Sequence, residues 1–145
     1  MHRYIRVILF TAIVIVLPFI CAATTVAEPI QPEVSKAPQT GATVVFIHSR
    51  DCPICQKVSP IVGDLQKQYK GKVNFVDLDV TDRKDVVQSR KLASSMKLSS
   101  FFALYKDSFP CVGIFNSKAK CVKELFGANS KQTYVSSIDA VLKTK

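Results

Sequence analysis

The stretch TVVFIHSRDCPICQKVSP, Thr43 to Pro60, joins a β-branched and aromatic run to two cysteines with two residues between them. TVVFIH is too short for a helix and too uniformly apolar for a strand covered on one face only, so it reads as a central strand. From Pro53 onward the apolar period changes. Ile54, Val58, Ile61, Val62, Leu65 and Tyr69 recur at helical spacing, with Pro60 as an expected kink and Gly71 as the stop. Cys52 and Cys55 therefore fall at a strand-to-helix junction.

Working outward, VNFVDLDV (Val73 to Val80) is the next strand, and strand, helix and strand within about forty residues make a parallel βαβ unit. TDRKDVVQSRKLASSMKLSSFFALY reads as helix, broken near Lys97 to Ser100. After Pro110, CVGIF and KCVKELFG are apolar runs separated by NSKA, which is a hairpin, and a last helix runs from Ser130 to about Lys143. The order is βαβαββα, an α/β class with a mixed central sheet. If Phe115 and Lys120 close the hairpin, Cys111 faces Glu124 and Cys121 faces Ile114. The two cysteines are then three rungs apart, roughly 10 Å along the strands. No disulfide between them is expected.

The N-terminus carries an export pattern. Arg3 and Arg6 precede residues 7–23, VILFTAIVIVLPFICAA, which hold no charge, and small residues follow at Thr25 and Ala27. The run is slightly long for a signal-peptide core and slightly short for a span of roughly 20 residues, so residues 1–27 read as a signal peptide cut before Glu28 or as an uncleaved membrane anchor. Lipidation at Cys21 is the minor alternative, because Ile20 is bulky for the position before it. Residues 28–41, EPIQPEVSKAPQTG, hold three prolines and form an extended tether, leaving 42–145 as the folded domain. The arginines stay inside, so the domain is expected outside the cytoplasmic membrane, periplasmic or anchored facing that side. There, disulfide chemistry is permitted.

Of the chain's 20 Lys and Arg against 11 Asp and Glu, Arg3 and Arg6 leave with the export segment, and the remainder carries +7. Its lysines are scattered without aromatic interleaving, which describes a solvated surface and not a nucleic-acid face.

Three readings compete for the cysteine pair. Zinc would need four ligands, and neither a second CxxC nor a histidine pair accompanies this one, so no metal or other cofactor is expected. A structural disulfide across so short a loop removes little chain entropy. A redox couple fits the spacing best. Pro53 suits the first helical position, which makes Cys52 the N-cap, where free backbone N–H groups and the helix dipole favour thiolate over thiol. Cys55, one turn on, is more buried and resolves the mixed disulfide that Cys52 forms.

With these residues in place, the domain resembles the thioredoxin-fold thiol:disulfide oxidoreductases. The resemblance rests on a strand leading to CxxC at a helix start, the proline five residues after Cys55, SPIVGDL, the segment YKDSFPCVGIF, and Gly127 in ELFGA. It implies a thioredoxin-like fold over residues 42–145 and a cis-proline at Pro110, with the backbone of Phe109 exposed to pair with a substrate peptide. A trans proline in an ordinary loop is the plainer reading.

The chain departs from that pattern. Asp51 stands where the family usually has Trp, Pro53-Ile54 lies between the cysteines, and Phe46 replaces a buried Asp six residues before the first cysteine. Asp77 lies in the region of the family's charged residue beneath the helix, or is simply an exposed strand residue. His48 reads either as a group tuning the pair or as a hydrogen-bonded framework histidine. Asp51 should oppose a Cys52 thiolate, and Arg50 and Lys57 should favour it. The expected function is exported thiol:disulfide exchange with protein thiols and disulfides and with a redox partner. The alternative is a non-catalytic thioredoxin-fold binding module or a copper carrier.

Overall fold

The computed structural model describes residues 41–144. The export segment and the tether up to residue 40 lie outside the described residues. Eight elements follow in order: β1 (Ala42–His48), α1 (Pro53–Gln68), β2 (Val73–Asp79), α2 (Arg83–Ser95), α3 (Ser99–Tyr105), β3 (Cys111–Phe115), β4 (Cys121–Phe126) and α4 (Lys131–Lys143). The sheet order is β2-β1-β3-β4, with β1 and β2 parallel and the other two pairs antiparallel. The mixed α/β sheet expected from the sequence is present.

β1 is central because both its faces are covered. Ala42, Val44 and Phe46 join a core with Val58, Val62 and Leu65 of α1 and Tyr134, Ile138 and Val141 of α4. Val45 and Ile47 join a second core, on the opposite face, with Ala93 of α2 and Phe101 and Phe102 of α3. A strand buried on both sides cannot alternate polar and apolar residues, which explains the unbroken TVVFI.

Local chemistry sets the boundaries. α2 begins at the N-cap Asp82, whose side chain accepts from Asp85 N–H at 2.8 Å. The break before α3 comes at Lys97, in the left-handed region at φ 60°, where Leu98 N–H turns back to the Ala93 carbonyl. α1 continues through Pro60, which forgoes only the bond it would have donated to the Gln56 carbonyl. Gly113 admits the Phe101 ring, since a Cβ there would lie 2.4 Å from Phe101 Cζ.

The hairpin register differs from the sequence expectation. Cys111 pairs with Phe126, not Glu124, and Cys121 pairs with Phe115, not Ile114. Two features cause the shift. Asn116 Oδ1 accepts from both Lys118 N–H and Lys120 N–H, and Ala119 takes φ 57°, so Lys120 belongs to the turn and does not close the ladder. A bulge next to Ile114 and Phe115 then adds one more residue on β4. The cysteines end four rungs apart instead of three, and both are free thiols.

Candidate thiol site

The site is built where β1 ends and α1 begins. Cys52 is the N-cap of α1, in extended conformation at φ −91° and ψ 114°, with Pro53 directly after it. Its sulfur accepts from Cys55 N–H at 3.2 Å. Burial pushes its pKa up, but hydrogen bonds from the Cys55 thiol and from the backbone N–H groups of Cys55 and Ile54 outweigh that, and the net shift is downward. Cys55 behaves oppositely. It is 1% exposed, and burial together with its hydrogen bond to Cys52 pushes it up to about 11.

The loop carrying Cys52 is fastened from beneath. Arg50 Nη1 donates to Asp79 at 2.5 Å and Nη2 to Asp85 at 2.7 Å, while Arg50 N–H donates to Thr81 Oγ1 at 2.8 Å. Gln56 of α1 closes the loop by donating to the Arg50 carbonyl at 2.8 Å. The guanidinium is thus engaged by two carboxylates of β2 and α2. This corrects the expectation that Arg50 favours the Cys52 thiolate: its charge is neutralised elsewhere, and the Cys55 thiol and first-turn N–H groups lower the cysteine. Asp51 is exposed and joins no ion pair among the described residues.

On the α1 face of the same junction, His48 stacks on Phe46 with centroids 4.7 Å apart, and its Nε2 lies 2.5 Å from Asp77 Oδ1. The parallel register puts Asp77 beside Phe46. His48 is the less exposed partner, at 13% against 57% for Asp77. Burial pulls the imidazole pKa down, yet the hydrogen bond and charge of Asp77, with a contribution from Asp79, raise it overall against the opposing Arg50.

β3 brings in the last predicted residues. Ile47 pairs with Cys111, so Phe109 and Pro110 lie just beyond that rung, level with the end of β1. The Phe109-Pro110 peptide bond is cis. Phe109 is exposed, Pro110 is buried, and the Pro110 carbonyl accepts from Gly127 N–H at 3.1 Å. Gly127 holds φ 70°, a conformation that glycine enters without a Cβ penalty. Among the described residues no group of three or more His, Cys, Asp or Glu could hold a metal. The fold brings Cys52, Cys55, His48, Asp77, Phe109 and Pro110 to one end of the sheet.

Sequence reasoning missed the Asp79, Thr81 and Asp85 partners of Arg50. They lie about thirty residues downstream, and no local pattern links them to the loop.

The family model described as TraF, F plasmid transfer operon protein, matches residues 29–121. The chain belongs to the TraF family. The match covers most of the chain and runs from before β1 to the first residue of β4. The TraF family is thioredoxin-like, in agreement with the architecture of this member. Comparison with curated proteins finds no match.

Proposed function

We propose that this TraF-family chain is an exported thiol:disulfide oxidoreductase that exchanges disulfides with protein partners through Cys52 and Cys55. The observation that carries the reading is the asymmetry of the pair: an N-capping sulfur with a lowered pKa above a buried thiol at about 11. The Cys52 thiolate attacks one sulfur of a partner disulfide. That S–S bond breaks, a Cys52–partner disulfide forms, and the partner's other sulfur leaves as a thiolate that takes up a proton. Cys55 then attacks Cys52 Sγ, closing the Cys52–Cys55 disulfide and expelling the partner's second thiolate. Two electrons pass to the partner, and the reverse sequence oxidises it.

Phe109 and Pro110, level with the end of β1, supply substrate-peptide contacts in this reading: Phe109 offers its backbone and an exposed side chain, and Pro110 shapes the approach. The N-terminal segment, residues 1–27, directs export or anchors the chain, and residues 28–41 tether the domain on the extracytoplasmic side. Among the described residues no helix is long and apolar enough to cross a membrane.

Cys52→Ser is expected to abolish exchange, whereas Cys55→Ser accumulates a mixed disulfide with the native partner. Non-reducing electrophoresis of the two variants reads both outcomes. Alkylation of Cys55 before Cys52 at neutral pH would reverse the assigned roles.

A further inference from the structure

Resolution of the mixed disulfide requires Cys55 to lose its proton. At about 11, only about one Cys55 in 10⁴ is thiolate at neutral pH, so an acceptor near the sulfur decides how fast the step runs. Phe46, beside Asp77 in the sheet, carries no acceptor. Tyr69 caps the far end of α1, and its phenol is pushed up to about 12. His48 remains.

The backbone already joins the two groups. Cys52 N–H donates to the Ser49 carbonyl at 3.3 Å, Cys55 N–H donates to Cys52 Sγ at 3.2 Å, and the His48 carbonyl accepts from Val80 N–H at 2.8 Å. Two successive hydrogen bonds thus link the residue after His48 to Cys55 at the β1–α1 junction. The ring stacks on Phe46, which belongs to the core that α1 covers, so ring and thiol occupy the same face and end of the sheet. In the neutral imidazole, an Nε2–H that donates to the Asp77 carboxylate leaves the lone pair on Nδ1. Nδ1 makes no hydrogen bond among the described residues.

We propose that His48 is the proton acceptor for Cys55 during disulfide resolution and that Asp77 is the positioning residue that fixes its tautomer. This inference rests on the exchange reading above. The Cys55 proton passes to Nδ1 directly or through one water, and the sulfur's electron pair forms the bond to Cys52 Sγ. The bond from Cys52 to the partner breaks, and its electron pair leaves with the partner's sulfur. The imidazolium, held against Asp77, then returns the proton to that thiolate or to solvent, and in the opposite direction of flux it reprotonates Cys55. The charged groups acting on the ring are Asp77 and Asp79 of β2 and Arg50 of the β1–α1 loop, while α1 brings the thiols.

The test is stopped-flow reaction of the reduced full chain, as the double variant Cys21→Ser and Cys121→Ser, with a symmetrical nitroaryl disulfide whose thiolate is coloured. The first release reports attack by Cys52, and the second reports resolution by Cys55. In the parent protein the second rate should rise through the His48 titration and then level off. His48→Gln should slow the second release about 100-fold at neutral pH relative to the first. The inflection should be lost, with the rate then climbing about tenfold per pH unit toward the Cys55 titration. Asp77→Asn removes the interaction that raises the imidazole and should move the inflection to lower pH, a readout independent of how His48→Gln folds. An unchanged second rate and pH profile in both variants would overturn the proposal, as would a matching loss in Asp51→Asn, which would transfer the role to Asp51. Absence of a second release in the parent protein would instead refute the exchange reading itself.

Discussion

Cys52 draws its lowered pKa from the Cys55 thiol and the N–H groups of the helix start, and Arg50, two residues earlier, directs its charge to Asp79 and Asp85. The two effects are separable because the contacts lie on different atoms. The loop stays fastened through Arg50 N–H to Thr81 and Gln56 to the Arg50 carbonyl, both of which survive loss of the guanidinium. Arg50→Met should therefore leave the Cys52 pKa within about 0.3 of the parent value, well below the one-unit scale of a close charge pair. The pH dependence of iodoacetamide alkylation measures it. A rise of a full unit would show that the Arg50 charge reaches the sulfur after all. The same reasoning explains why the sequence misleads here: adjacency to a cysteine places an arginine nearby in the chain but says nothing of the carboxylates that a folded loop offers it.

At the level of elements, the β3–β4 hairpin controls the fate of the other two thiols. Cys111 and Cys121 face the same core and sit four rungs apart, roughly 13 Å along the strands. That is well beyond the limit of about 7 Å between Cα atoms for a disulfide. Burial and the nearby Glu124 and Cys121 push Cys111 up to about 12, and burial and Glu124 push Cys121 to about 11, so both are held mainly as thiols at neutral pH. Mass spectrometry of the alkylated, non-reduced protein should find no peptide linked through this pair; a linked peptide would mean that the hairpin slips from this register. That the two cysteines lie several rungs apart was legible in the sequence, but the register was not. Strand existence follows from CVGIF and CVKELF, whereas register depends on whether Asn116 folds its side chain over the turn and on a bulge, and neither leaves a periodic trace. α1 was more legible, because N-cap, proline and helical period agree. His48 and Asp77 were each visible as candidates. Their contact was not, since it depends on the parallel register that sets Phe46 beside Asp77.

In the whole molecule, chemistry and stability divide across the sheet. Cys55, His48 and Asp77 belong to the α1 face, where α4 completes the core, although α4 lies beyond the residues that match the TraF family model. Ile138 of α4 and Ile47 of β1 are both fully buried, the first in the α1–α4 core and the second in the α2–α3 core. Each Ile→Val change removes one methylene and should cost about 0.5–1.5 kcal/mol. Because the side chains lie on opposite faces and in separate cores, the double variant should lose the sum of the two to within about 0.5 kcal/mol. Urea denaturation of the parent, the two single variants and the double variant closes the cycle, provided that unfolding is two-state in each. A larger coupling would mean that repacking on one face is transmitted through β1 to the other. The α2–α3 side would then bear on the position of the cysteines as directly as α1 does.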